Sequence, residues 1–358
     1  MNLVEITIQN IRVIRWLRLA PSKGLNVLIG PNGSGKTSVL EGVHLLGIGR
    51  SFRGRVCRAI ITQGEENCAV SGLVDKGLGK ELRMGIEKGK YGSRVRVGNR
   101  EVTRASELAQ NLPLLVLSPD DQSLLTKGSR ERQRFLDWIL FHVEPSYFNL
   151  LYRYFRALRQ RNFALRQMNN RNLLLAWDEE LGKLGELVDK FRRKSVETLF
   201  PILCQYLSSI MEVEVAMKYT SGWNVEQPLT DILRQRVKAD EKLGYTFQGP
   251  HRGDLCFTVQ GIPAYQRLSR GETKQLILAL VLAQARCLYE QTGVIPVLLL
   301  DELTAELDKP SLYRVSQALM ALQAQVFVTM VSEQMLNDMV WCKGKMFHVE
   351  HGTVRKLS

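Results

Sequence analysis

The sequence predicts an α/β fold: a mixed sheet built from both chain ends, an antiparallel β subdomain beside it, and an α-helical lobe inserted between. Three observations predict it. The first 120 residues read as short alternating strands around one helix. From about 128 to 205 glycine becomes rare and the apolar spacing turns helical. Beyond residue 270 a long apolar helix is followed by two short strands, so the chain ends in α/β texture as it began. The expected division is 1–122 with 246–358 as one lobe and 123–245 as a mostly helical insertion.

Taken in order, 4–8 alternates and 25–29 is an apolar strand. Short β segments broken by glycines follow at 69–74, 82–86 and 95–97, and 114–117 is a further buried strand. In the insertion, Phe135, Trp138 and Ile139 fit one helical face; Leu151, Tyr154, Phe155, Leu158 and Phe163 fit a second; Leu181, Leu184, Leu187, Val188 and Phe191 fit a third. After Met211 a strand and a helix return. Then come the apolar helix 271–289 and strands at 297–300 and 325–328.

Composition excludes several classes. Of 358 residues 45% are apolar and 24% charged, which is globular and neither disordered nor collagen-like. The longest apolar run, 276–283, is far short of the roughly 20 residues of a spanning helix. Glu5, Arg12, Arg15 and Arg18 interrupt the first twenty residues, unlike a secretory leader. Six scattered cysteines, none at C-x-x-C spacing, read as reduced packing residues. The formal charge of +13 points to a polyanionic partner such as nucleic acid, weakly by itself.

Chemistry enters at Gly30, Pro31, Asn32, Gly33, Ser34, Gly35, Lys36 and Thr37, which fit G-x-x-x-x-G-K-[ST] at every fixed position, with Ser38 next. A strand precedes the motif and an apolar helix through Val39, Leu40, Val43 and Leu46 follows, the context that makes it a phosphate loop. Glycines let backbone N–H groups turn toward a phosphate, the helix N-terminus adds positive charge, Lys36 reaches the β- and γ-phosphates, and the Thr37 hydroxyl suits Mg²⁺. Far downstream, the strand 297–300 ends in Asp301 and Glu302. Asp301 suits Mg²⁺ through water, and Glu302 suits polarising an attacking water. Between the two lies 268–274, LSRGETK, where Ser269 and Glu272 have capping-box spacing at the start of the apolar helix. Such a helix start is both an ordinary cap and an anion site.

The order phosphate loop, insertion, L-S-x-G, apolar helix, D-E, then 305–308 (AELD) resembles an ABC-type ATPase head. The resemblance implies that Ser269 and Gly271 are the signature motif acting in trans on the γ-phosphate of a second, head-to-tail copy, and that Asp308 closes a D-loop. Segments 33–41 (GSGKTSVLE), 49–53 (GRSFR), 130–138 (RERQRFLDW), 158–162 (LRQRN), 249–252 (GPHR), 268–271 (LSRG) and 325–329 (QVFVT) narrow it. Together, over essentially the whole chain, they resemble the bacterial RecF family, which is similar to SMC heads without their coiled coils. That implies an ATP- and Mg²⁺-dependent, DNA-binding dimer with slow, DNA-stimulated hydrolysis. It implies cytoplasmic, nucleoid-associated work with RecO and RecR at DNA gaps and single–double-strand junctions, helping to load RecA, with no membrane partner.

Several positions depart from the pattern. Glu302 stands where RecF proteins usually carry a second aspartate, Gly253 where an acid often follows, and Thr329 where ABC transporters have a switch histidine. Gln122 is the nearest approach to a Q-loop, and Arg12 resembles an SMC-type arginine near the nucleotide. His348 and His351 read as edge-strand or tail residues. Two alternatives remain open: a transporter's ATPase subunit, and an ATP-binding scaffold that does not hydrolyse.

For DNA, the stretch 127–171 holds ten basic residues against three acidic ones. Arg130, Arg132, Arg153, Arg156 and Arg159 are the candidates there, and Arg50, Arg53, Arg55 and Arg58 form a second cluster beyond the phosphate-loop helix, of which the first three are candidates. Arginine-rich faces of this kind grip phosphates without reading sequence.

Overall fold

The protein is described from a computed structural model, and the described residues are all but 55–58, 78, 91, 168–170, 333–343 and 358. Arg55 therefore lies outside the described residues, as do Arg58, Cys57 and Cys342. Two compact units form: 1–122 with 206–212 and 269–358, and 123–205 with 213–268.

Among the described residues the first unit holds two six-stranded sheets. One is antiparallel, β2(Ile14–Leu19)-β1(Asn2–Ile11)-β4(Asn67–Asp75)-β5(Glu81–Gly89)-β6(Gly92–Val97)-β7(Arg100–Val102). The other runs β15(Thr353–Leu357)-β14(Lys345–Glu350)-β3(Leu25–Ile29)-β13(Val326–Met330)-β12(Val297–Leu300)-β8(Leu114–Leu117). Its strands are parallel apart from β15, so distant parts of the chain do share one mixed sheet, as the sequence led us to expect. β3, β12 and β13 are buried at every residue, which is why they read as apolar runs without alternation.

The phosphate-loop helix α1(Lys36–Ile48) is buried nearly throughout. Its Val39, Leu40, Val43, Leu45 and Leu46 join Ile6 and Ile8 of the antiparallel sheet and Leu28, Leu299 and Phe327 of the parallel one in a single core. Its buried Lys36, Glu41 and His44 are each hydrogen-bonded, which lets the helix sit inside and anchor the loop at its N-terminus from below. The unit is completed by α2(Ser106–Asn111), α10(Arg270–Thr292) and α11(Lys309–Leu322).

The second unit contains the short α3(Ser123–Thr126) and the helices α4(Ser129–Val143), α5(Tyr147–Arg166) and most of α6(Arg171–Ile210). It also holds a three-stranded sheet, β11(Ile262–Pro263)-β10(Asp254–Val259)-β9(Ala216–Thr220), with α7(Leu229–Gln235), α8(Val237–Leu243) and α9(Ala264–Arg267). Tyr154, Leu158, Leu181, Leu184 and Val188 pack together there. Phe163 and Leu187, placed by the sequence on those apolar faces, are instead 54% and 47% exposed. Phe163 comes five residues after Leu158, about 140° round the helix at 3.6 residues per turn, so it leaves the buried stripe. Among the described residues no helix is long and apolar enough to cross a membrane.

Candidate functional site

The site gathers at the carboxyl ends of β3, β13 and β12, the crevice where parallel sheets bind ligands. The loop 30–35 leaves β3 and enters α1 with Gly33 and Gly35 at φ of 81° and 112°, a left-handed region closed to most side chains. A Cβ on Gly30 would fall 2.1 Å from the Val349 carbonyl oxygen, so only glycine fits there. The turn between β14 and β15 buttresses the loop: Gly352 N–H donates to the Ser34 carbonyl at 2.9 Å, with His351 and Gly352 both at positive φ. His351 thus belongs to an edge hairpin that meets the phosphate loop, a contact the sequence did not reveal.

Lys36 Nζ donates to the Gly30 and Pro31 carbonyls at 2.7 and 2.9 Å, inside the loop it serves. Burial lowers its pKa, against the opposing pull of Asp301 and Glu302. Ser34 Oγ is buried with no hydrogen-bond partner. An orphan hydroxyl, a folded-back ammonium and a glycine cradle at a helix N-terminus fit a phosphate group.

The metal-type ligands converge from three elements. Thr37 Oγ1 lies 3.1 and 3.0 Å from the two oxygens of Asp301, which is buried. Thr329, on β13, donates from Oγ1 to Asp301 Oδ1 at 2.7 Å and accepts the Glu302 N–H at 2.8 Å. Glu302 is exposed, with φ of 52°, beyond the end of β12. A hydroxyl and a carboxylate suit Mg²⁺, a hard cation that takes oxygen ligands.

Around Glu302 lies a small cleft of about 80 Å³, lined among others by Gln122, Lys274, Glu302 and Glu306. Lys274 Nζ donates to the Glu302 and Ala305 carbonyls at 2.6 and 2.7 Å, fixing the strand-end turn. Its pKa is lowered by burial, with Glu306, Glu302 and Asp301 opposing. The sequence assigned no role to Lys274. Gln122 Nε2 reaches Glu306 Oε2 at 3.4 Å.

Ser269 caps α10 in a full capping box: its hydroxyl accepts from Glu272 N–H at 3.3 Å and its own N–H donates to Glu272 Oε2 at 2.8 Å. Ser269 is exposed, so this capped helix start is presented outward. A Cβ on Gly271 would lie 2.8 Å from the Glu306 carbonyl, so the helix start and the 302–306 turn approach closely. Asp308 caps α11, accepting from Ser311 N–H, and that bond holds its carboxyl below the usual range.

Arg12, between β1 and β2, reaches with its side chain to the phosphate-loop helix. Its Nε and Nη2 grip both oxygens of Glu41 at 3.0 and 3.1 Å, and Nη1 donates to the Ala59 carbonyl. Glu41 is fully buried and also accepts from the Ser51 hydroxyl. This carboxylate, quoted above only as part of a motif, joins α1 to the segment holding Arg50 and Arg53, both exposed.

The arginines of the second unit divide sharply. Arg132 forms a two-pronged pair with Asp254 at 2.7 and 2.9 Å and caps the Leu124 and Lys127 carbonyls. Arg161, counted among the basic stretch, is fully buried on Asp178, Asp240 and Thr246. Arg153 pairs with Glu180 at 2.7 Å in the open. Arg130, Arg156 and Arg159 are exposed.

Known proteins echo this arrangement. The profile of the family described as RecF/RecN/SMC N terminal domain matches residues 2–355. A Vibrio parahaemolyticus protein named DNA replication and repair protein RecF is 38% identical, with 99% of each chain covered. A protein of the same name from Thioalkalivibrio sulfidiphilus is 37% identical, again over 99% of both. A solved structure described as the recombination mediator protein RecF-ATP in the RecFOR pathway is similar at a TM-score of 0.88 and 28% identity, covering 99% of this chain and 97% of that one. An Smc head bound to the C-winged helix domain of ScpA is 15% identical with a TM-score of 0.60 over 100% of this chain and 98% of that one, and shares the fold.

Proposed function

The chain belongs to the RecF/RecN/SMC N-terminal domain family, and within it to the RecF family, and from that premise we propose that it is an ATP-driven DNA-binding protein of replication and recombinational repair. Two copies close head to tail on two ATP molecules, and closure creates the DNA-binding surface. The observation that carries the reading is the meeting of Thr37, Asp301, Thr329 and Glu302 beside a phosphate loop whose Ser34 hydroxyl is buried without a partner.

In this reading the loop amides, Ser34, Lys36 and Ser38 hold the phosphates, and Lys36 exchanges its carbonyl partners for phosphate oxygens. Thr37 and Asp301, with water between Asp301 and the ion, would hold Mg²⁺, and Gln122 of the same cleft would add to that set; the ion would supply neutralisation of charge developing on the transferred phosphoryl group. Glu302 orients and polarises the attacking water. Ser269, exposed at the start of α10, and Gly271 beside it approach the γ-phosphate of the partner copy, with Asp308 lining the same seam and Arg12 set behind it on Glu41. Turnover is slow and stimulated by DNA. Duplex DNA and single–double-strand junctions are bound by Arg50, Arg53, Arg55, Arg130, Arg153, Arg156 and Arg159 without sequence preference. RecO and RecR are its partners, RecA loading its outcome, and the nucleoid its place of work.

The test is DNA affinity measured with and without Mg²⁺-ATP across a salt series. Binding that tightens with ATP and falls linearly on a log–log salt plot supports the reading. Affinity indifferent to nucleotide would overturn the clamp.

A further inference from the structure

Helix α5 carries five arginines and no acidic residue in twenty positions. Arg161 is buried and neutralised, Arg153 pairs with Glu180, and Arg166 donates to the Gly244 carbonyl. Arg156 and Arg159 differ. Both are exposed, and among the described residues neither has a carboxylate within salt-bridge distance.

These two do not stand alone. Tyr152, Arg156, Arg159 and Phe163 follow one another at intervals of four, three and four residues, which puts them on one stripe of the helix. Tyr152 is 58% and Phe163 54% exposed, so two large rings flank two unneutralised cations along about 16 Å of helix. Beside the stripe, between α5 and α6, lies a pocket of about 380 Å³ whose walls include Arg156, Leu173, Trp177 and the Arg153–Glu180 ion pair.

We propose that this face of α5 is a binding platform for single-stranded DNA, with Arg156 and Arg159 on phosphates, Tyr152 and Phe163 stacked against unpaired bases, and the Trp177 pocket able to take one base. The proposal rests on the DNA-binding reading above and names the strand that this face receives. The two cations call for a polyanion. The two rings choose between kinds of DNA: a duplex turns phosphates outward and keeps its base faces stacked, so it leaves Tyr152 and Phe163 against water and sugar edges. An unpaired strand offers a π-face for each ring, and stacking of this kind tolerates any sequence. A protein partner could also cover exposed rings, but it would have to bring carboxylates to Arg156 and Arg159.

The experiment compares the wild-type chain with Tyr152→Ala/Phe163→Ala, both changes lying on the surface. Affinity is read by fluorescence anisotropy with a labelled oligo-dT and with a blunt duplex of equal length, in the presence of Mg²⁺-ATP, after melting curves confirm folding. The double variant should lose about tenfold or more for oligo-dT and less than twofold for the duplex. Tyr152→Phe/Phe163→Tyr, which keeps both rings, should bind oligo-dT like the wild type. Arg156→Ala/Arg159→Ala should weaken both DNAs and flatten their salt dependence. Equal loss for the two DNAs in the ring variant, or no loss for either, overturns the platform. The second result would leave the face to an acidic protein segment, detectable by titrating an Asp/Glu-rich peptide. Wild type that binds neither DNA would overturn the functional reading itself, together with this one.

Discussion

Thr329 donates a hydrogen bond of 2.7 Å to Asp301, and the same oxygen accepts the Glu302 N–H at 2.8 Å. One hydroxyl thus ties the end of β13 to both acids beyond β12. It orients the Asp301 carboxylate toward Thr37 and holds the Glu302 backbone at its left-handed turn. Thr329→Val keeps the shape and removes both bonds. It should leave nucleotide affinity within about threefold, slow hydrolysis by about tenfold, and cost roughly 1–3 kcal/mol of stability through two unsatisfied groups. Thr329→Ser should restore most of the rate. Single-turnover hydrolysis with equal rates in the valine and wild-type chains would remove Thr329 from the machinery.

Ser34 makes an unusual prediction because its effects on folding and binding have opposite signs. Its hydroxyl is buried and orphaned, so Ser34→Ala should leave the nucleotide-free protein as stable as before, or more stable by roughly 1 kcal/mol. If the hydroxyl awaits a phosphate, ATP affinity should fall about tenfold in the same variant. Melting curves with and without Mg²⁺-ATP read both effects together, since ligand binding raises apparent stability by mass action. A variant destabilised without nucleotide would show that Ser34 has a structural partner instead.

Ser269 is both a helix cap and the exposed tip of α10. Ser269→Arg removes the capping hydroxyl, at a cost of about 1 kcal/mol, and sets a large cation where the partner's nucleotide would lie. ATP binding by single chains should survive, while ATP-driven dimerisation, followed by light scattering, should vanish. Dimers formed normally by this variant would refute action in trans.

How much of this was legible in the sequence depends on how locally each feature is encoded. The phosphate loop, the D-E strand end and the capping box are runs of adjacent residues, and each reads directly. The shared sheet was legible because the chain both begins and ends in α/β texture; β3, β12 and β13 are buried at every residue, which keeps all but Asn26 and Thr329 apolar. The bond between Thr329 and Asp301 was not, since it joins two strand ends 28 residues apart. Nor was the fate of the arginines. Arg161 finds Asp178 and Asp240 at separations of 17 and 79 residues, and Arg132 finds Asp254 at 122, so counting charge along the chain mistakes internal struts for a binding face.

That distinction is testable at Arg132. Its side chain is only 13% exposed and grips Asp254 with two prongs. Arg132→Ala strands a half-buried carboxylate and two backbone carbonyls, those of Leu124 and Lys127, and should cost roughly 1–3 kcal/mol of stability. DNA affinity per folded molecule should change less than twofold. A DNA loss without a stability loss would return Arg132 to the binding surface.

Acid should loosen the second unit through His251. This ring is buried, with Nε2 donating to the Thr246 carbonyl at 3.0 Å and Nδ1 2.6 Å from the Tyr154 hydroxyl, whose proton the neutral ring accepts. Burial pushes its pKa down to about 4; the Thr246 bond pulls upward, Arg252 and Arg161 push further down, and Asp240 opposes them. Unfolded, the ring titrates near 6.5. Between about pH 6.5 and 4 the unfolded chain therefore holds a proton that the folded one lacks. Stability from this ring is complete above 6.5 and declines as pH falls toward 4, by up to about 1.4 kcal/mol per pH unit. His44 and His142, each also lowered by burial to about 4, act in the same window and direction. Urea midpoints at pH 7.5, 6 and 5 should fall steadily for the wild type. His251→Gln, which keeps an amide donor and acceptor without a titrating group, should fall with a slope shallower by up to one proton. Identical slopes would mean that His251 already carries its proton in the folded state, and that its bonds to Tyr154 and Thr246 are not those of a neutral ring.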